Sequence, residues 1–143
     1  MKFRLAAHQL KVIWRYWRRA PFLLDDLRLF GRNPYRVCRR YLERRGARQV
    51  HAYGETPLTT LAEIAKWAGI GPSDCVYELG CGPGRTALWL HHFVGCRVVG
   101  IDQVPAFVRR AKRVEREGLS FREGDFLQMD YSKASVVSVW DDA

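Results

Sequence analysis

Val76-Tyr77-Glu78-Leu79-Gly80-Cys81-Gly82-Pro83-Gly84 begins as a short apolar run, turns acidic at Glu78, and then places glycine at every second position. Such a run predicts a buried strand over 75–79, followed by a turn that brings backbone unusually close to whatever lies beyond it. A second apolar run, Val98-Val99-Gly100-Ile101, ends at Asp102, 24 residues after Glu78. Helical patterns lie between and around these runs: 85–93 after the glycine turn, and 105–117 opened by Pro105 and stopped by Gly118. A third strand is expected over 119–122 and a fourth over 134–140. Strands that alternate with helices pair in parallel through right-handed crossovers, so the expected class is α/β and Rossmann-like.

The glycine spacing narrows the ligand. A dinucleotide fingerprint, GxGxxG, would need its last glycine at position 85, which holds Arg85. A phosphate-binding P-loop would need a Gly-Lys-Ser/Thr ending, which does not follow. The loop is better matched to a ligand with an amino-acid end and a nucleoside end. Ligands of open α/β sheets lie outside the carboxyl ends of the strands. There, Glu78 can accept from an ammonium group, with Gly80 and Gly82 beside it. Asp102 can accept from two ribose hydroxyls, because a carboxylate offers two acceptor oxygens. Gly124-Asp125-Phe126-Leu127 follows the third strand. Asp125 can take an adenine amino group while Phe126 packs on the ring; taken in isolation, the stretch reads better as an Asx turn with a core phenylalanine.

Charge divides the chain. Residues 1–54 hold 14 Lys and Arg against 3 Asp and Glu, a net of +11, whereas residues 55–143 hold 10 against 12, a net of −2. The expectation is a basic helical arm or cap over 1–54 and an α/β domain over 55–143. In the arm, Phe3, Ala6, Ala7, Leu10, Ile13, Trp14 and Trp17 fall at helical spacing opposite Arg4, Lys11, Arg15 and Arg18. Shorter helices are expected over 22–30 and 36–45, then one opened by Thr56-Pro57. Basic surfaces favour anionic partners. The four cysteines, Cys38, Cys75, Cys81 and Cys96, lack the spacing of a zinc site and read as buried thiols. No run approaches the 18 apolar residues of a membrane span, and without an export signal the expected location is cytoplasmic.

Together the glycine turn, Glu78 and Asp102 resemble the class I S-adenosylmethionine-dependent methyltransferases over residues 55–140. A narrower likeness joins Tyr53-Gly54-Glu55-Thr56 and Gly124-Asp125-Phe126-Leu127 to the non-SET lysine methyltransferases of the telomeric-silencing-disruptor type. The resemblance implies S-adenosylmethionine as cofactor and the strand order 3-2-1-4 for the half-sheet present. It places Glu55 and Thr56 over the methionine end, Glu78, Gly80 and Gly82 along the amino-acid portion, Asp102 on the ribose, and Asp125 and Phe126 on the adenine. The family carries three further strands, so the chain reads as a C-terminally truncated or split form. It also implies protein lysine as the methyl acceptor, with RNA, reached through the basic arm, or an inactive cofactor-binding remnant as alternatives.

Methyl transfer asks mainly for alignment and exclusion of water. A lysine acceptor must also lose a proton, and Glu55 is the best-placed candidate base in the sequence. His91 and His92 are adjacent, about 100° apart on a helix, and so do not share a face as metal ligands.

Overall fold

A computed structural model describes Trp14 and residues 16–139 of the chain. Three helices come first: α1 (Ala20–Arg28), α2 (Pro34–Arg44) and α3 (Leu58–Trp67). The alternating part follows: β1 (Cys75–Leu79), α4 (Arg85–Trp89), β2 (Arg97–Asp102), α5 (Pro105–Ala111), β3 (Leu119–Glu123) and β4 (Val136–Val139). The four strands form one parallel sheet in the order β3-β2-β1-β4. This is the expected Rossmann-like half-sheet in the order 3-2-1-4.

The central strands β1 and β2 form where the sequence is apolar on both sides, as parallel sheets require. Val76, Tyr77, Val98 and Ile101 are almost wholly inaccessible, and β1 lies between β2 and β4. Tyr77 sits level with Val99 on one side and Val137 on the other. This register brings Glu78 and Leu79 to the carboxyl edge beside Gly100 and Ile101, so the turn after β1 and the end of β2 meet at one place. Helix α4 buries Ala87, Leu88 and Trp89 against one face and runs on as a π-helical turn, Leu90–Val94. Its path is the one expected, with a wider final turn.

Two features differ most from expectation. Helix α5 gives way to a 3-10 turn, Lys112–Val114, instead of running to residue 117. Glu115 is extended and its carboxylate accepts from the Phe121 N–H, while Arg116 and Leu119 exchange backbone hydrogen bonds. These local bonds outcompete another helical turn. At the N-terminal side, Trp14 and Trp17 are exposed, although the helical stripe places them on an apolar face. Tyr16 is the buried ring: its hydroxyl accepts from the Trp89 indole N–H at 3.0 Å, and it packs on Phe22 and Phe93. The rest of that expected stripe, Phe3 to Ile13, lies outside the described residues, as does Trp140.

An ionic cluster fastens α1 to the sheet-bearing part. Asp25 is buried and meets Arg116 at 2.7 Å, His92 at 2.9 Å and Arg28 at 3.0 Å. Burial alone would raise its carboxyl, but the bonds from Arg116 and His92 hold it below the ordinary range. Asp26 beside it takes Arg85 in a two-pronged grip at 2.8 and 2.9 Å. All four cysteines are free and buried. Among the described residues β4 pairs with β1 alone, and its Val137 and Val139 are about half exposed. Among the described residues, no helix is long and apolar enough to cross a membrane.

Candidate functional site

Two adjoining cavities open at the carboxyl ends of β1 and β2. The larger, about 410 Å³, is walled by Leu79, Gly80, Asp102, Val104, Phe107 and Phe126, with Cys38 and Leu42 of α2 opposite. The smaller, about 50 Å³, reaches Glu78, Gly82 and Thr86. Tyr53, Gly54, Glu55, Thr56 and Gly80 line both, so the two form a single cleft bridged by the segment 53–56. That segment has no regular secondary structure and leads into α3. The cleft has the volume of a small-molecule site.

Glu78 is the most unusual group here. It is 2% exposed, and its Oε2 has no hydrogen-bond partner. Burial, with Asp102 adding like charge, pushes its carboxyl up to about 8, against opposing bonds from Thr86 and the Ala87 N–H. A buried acceptor left unmatched costs folding free energy and points to a partner the protein alone does not supply. Gly80 lies next to it with φ +72°, and a Cβ there would meet nothing within 4 Å. The backbone therefore borders open space at the turn, as close approach of a ligand requires.

Asp102 is pinned from below. Its Oδ2 accepts from the Gly82 N–H and its Oδ1 from the Val104 N–H, both at 2.8 Å. These bonds tie the glycine turn to the end of β2. Burial raises the carboxyl despite the backbone donors. The side chain still borders the larger cavity, and each oxygen can accept more than one hydrogen bond. Tyr53 covers the turn: its ring lies 3.2 Å from where a Cβ on Gly82 would stand. Its hydroxyl donates to Glu55 Oε1 at 2.5 Å. Burial first, then the Glu55 carboxylate, drives the phenol well above its ordinary range, so it stays a donor.

The cleft thus gathers Glu55, Thr56, Glu78, Gly80, Gly82, Asp102 and Phe126. Asp125 is not among the lining residues; it caps the 3-10 turn Phe126–Gln128 by accepting from the Leu127 N–H at 2.9 Å. His91 and His92 lie away from the cleft. His92 serves the Asp25 cluster, and His91 packs against Gly118. Sequence reasoning assigned no site role to Tyr53, Thr86 or the apolar wall of Cys38, Val104 and Phe107. Only the periodicity of α2 carried a signal for the wall, since Cys38 and Leu42 are four residues apart.

Residues 76–141 match the sequence family described as a methyltransferase domain. Sterol 24-C-methyltransferase of Eremothecium gossypii is 34% identical over 82 residues, covering 54% of this chain and 22% of that protein. A protein-lysine N-methyltransferase of Saccharolobus islandicus is 30% identical over 94 residues, 62% of this chain and 58% of that protein. Among solved structures, an RNA methyltransferase from Salinibacter ruber in complex with S-adenosyl-L-homocysteine superposes with a TM-score of 0.56 at 31% identity, over 60% of each chain. The chain spans less than two thirds of the length of each.

Proposed function

We propose that this chain, which carries a class I methyltransferase domain, holds S-adenosylmethionine in the cleft beyond β1 and β2 and presents it to an RNA acceptor. The observation that carries the cofactor reading is the buried, unmatched Glu78 Oε2 beside the open turn at Gly80. S-adenosylmethionine supplies an electrophilic methyl on a sulfonium, with an ammonium group at one end and a ribose and adenine at the other. Glu78 suits the ammonium end. Asp102 has residual acceptor capacity on the cavity side for ribose hydroxyls, and Phe126 offers an apolar face on the same wall. The roles of the protein are to orient the two reactants and keep water away, and Tyr53 and Thr56 stand over the cleft where such exclusion is needed.

Two observations support RNA as the acceptor. The net charge of +11 over residues 1–54 favours polyanions and disfavours lysine-rich segments. The likeness to the Salinibacter ruber RNA methyltransferase points the same way. A specific observation also favours protein lysine: Glu55 brings a carboxylate into the cleft, where it can help a lysine shed its proton, and the Saccharolobus islandicus relative is a lysine enzyme.

Incubation with methyl-labelled S-adenosylmethionine and separate pools of RNA and protein decides between them. Label in RNA is expected. Label in protein lysine alone would replace the RNA reading with the lysine one, and saturable cofactor binding without transfer to either would mark a binding module.

A further inference from the structure

A second cavity, about 590 Å³, runs between α2 and α5 on the far side of α2 from the cleft. Six arginines line it: Arg32, Arg36, Arg40 and Arg44 from one side, Arg109 and Arg110 from the other. The first four recur every fourth residue, so Arg36, Arg40 and Arg44 stack along one face of α2, one guanidinium for each ~6 Å of helix. That rise is comparable to the separation of successive phosphates along a nucleic-acid strand. Arg110 is buried, and its guanidinium donates to the Arg32 carbonyl at 2.8 Å, which braces the floor of the groove.

Glu55 acts on Arg110 from the cleft side, but no ion pair compensates the groove. Among the described residues, carboxylates pair with Arg28, Arg39, Arg85 and Arg116, and with none of the six. Glu43, the one carboxylate on α2, pairs with Arg39, which does not line the groove. Six like charges converging on one concavity repel one another, and an anionic ligand would relieve that repulsion. Arginine also presents a planar fork suited to phosphate oxygens. Tyr41 also lies in the groove, its hydroxyl accepting from Arg45, whose guanidinium stands over its ring at 5.5 Å. Val104 borders both this groove and the cofactor cleft, and α2 is their shared wall, with Cys38 and Leu42 on one side and Val37 and Tyr41 on the other.

We propose that the arginine groove between α2 and α5 docks the phosphodiester backbone of single-stranded RNA and so holds the acceptor strand beside the cleft. This rests on the RNA reading above for its consequence in catalysis, but docking itself is separately measurable. The recognition is of the backbone, so it is tolerant of sequence and steeply dependent on salt.

The test is binding of a fluorescent single-stranded oligoribonucleotide by anisotropy across a salt series. The full chain is compared with a groove variant, Arg36→Gln with Arg40→Gln and Arg109→Gln, and with a control of equal charge change, Arg48→Gln with Arg97→Gln and Arg122→Gln. All six positions are exposed, and circular dichroism checks that both variants fold. The groove variant is expected to bind roughly a hundredfold more weakly at low salt and to lose about 2 from the log–log salt slope, with the control much less affected. Equal losses in both variants, or no RNA binding by the full chain, would overturn the proposal. Groove-dependent binding of anionic phosphatidylserine vesicles or a polyglutamate peptide in preference to RNA would overturn it too. S-adenosylmethionine affinity, measured on the same samples, separates the two readings. Cofactor binding without RNA binding removes the groove proposal alone, and groove-dependent RNA binding without cofactor binding removes the methyltransferase reading alone.

Discussion

Asp102→Ala is expected to weaken S-adenosylmethionine binding by about 2 kcal/mol, roughly thirtyfold, in isothermal calorimetry. Two losses act together. The carboxylate borders the larger cavity, so removing it strips an acceptor from the wall of the site. It also holds the Gly82 and Val104 N–H groups, and the turn that shapes the small cavity loses its tie to β2 when both bonds go. Asp102→Asn does not rescue the site, because one oxygen becomes an NH2 facing a backbone N–H. Asp125→Ala is the natural comparison. That carboxylate caps a surface turn and is not part of the cavity lining, and its removal is expected to change affinity less than twofold. Equal affinity for Asp102→Ala and the unaltered protein would remove the assignment of the cleft's nucleoside end.

Gly84→Ala is expected to destabilise the fold by about 3 kcal/mol, with the melting temperature falling by roughly 10 °C. Gly84 starts α4 at φ +89°, a conformation that costs a residue with a Cβ. The added methyl would also stand 2.8 Å from the Phe121 ring and 2.9 Å from the Ala111 Cβ, both buried. Neither neighbour is the free end of a flexible chain, so relief requires β3 or α5 to move. Gly80→Ala serves as the contrast: its φ is also positive, but the site is open, so only the backbone term of about 1 kcal/mol applies. Melting curves of the two variants read the difference directly. If Gly84→Ala melted no lower than Gly80→Ala, the close packing of the turn on β3 and α5 would be wrong.

The centre of the sheet was legible because β1 and β2 are buried on both faces and write themselves as apolar runs. Glu78 and Asp102 end β1 and β2, and the register of those strands places them at one edge. Gly80 and Gly82 were legible from their spacing alone. Tyr53 was not, because its role depends on a loop folding back over the glycine turn, and no periodicity encodes that. The early end of α5 was hidden for the same reason: the Glu115 and Arg116 bonds that replace the last helical turn reach to residues 121 and 119. Asp25 read as one acid among basic residues, yet it is the point where α1, the π-helical turn and the segment after α5 meet. In α2 the arginines stand out in the sequence, but that they line a groove depends on α5 closing its other side.

The cofactor assignment turns on Glu78, whose buried carboxyl sits near 8 in the free protein and is therefore largely protonated at neutral pH. A cationic ligand beside it favours the ionised form and lowers that value, so binding releases a proton and tightens as pH rises from about 6 to 8. The same shift has a consequence without ligand. With the folded value above the ordinary 4.5, stability is fullest below pH 4.5 and declines as pH climbs through 8. Calorimetric titration of S-adenosylmethionine at pH 7 in buffers of different ionisation enthalpy counts the protons directly. Saturable binding is expected, with release of a substantial fraction of one proton that is abolished in Glu78→Gln. Absence of saturable binding, or proton release that persists unchanged in Glu78→Gln, would contradict it.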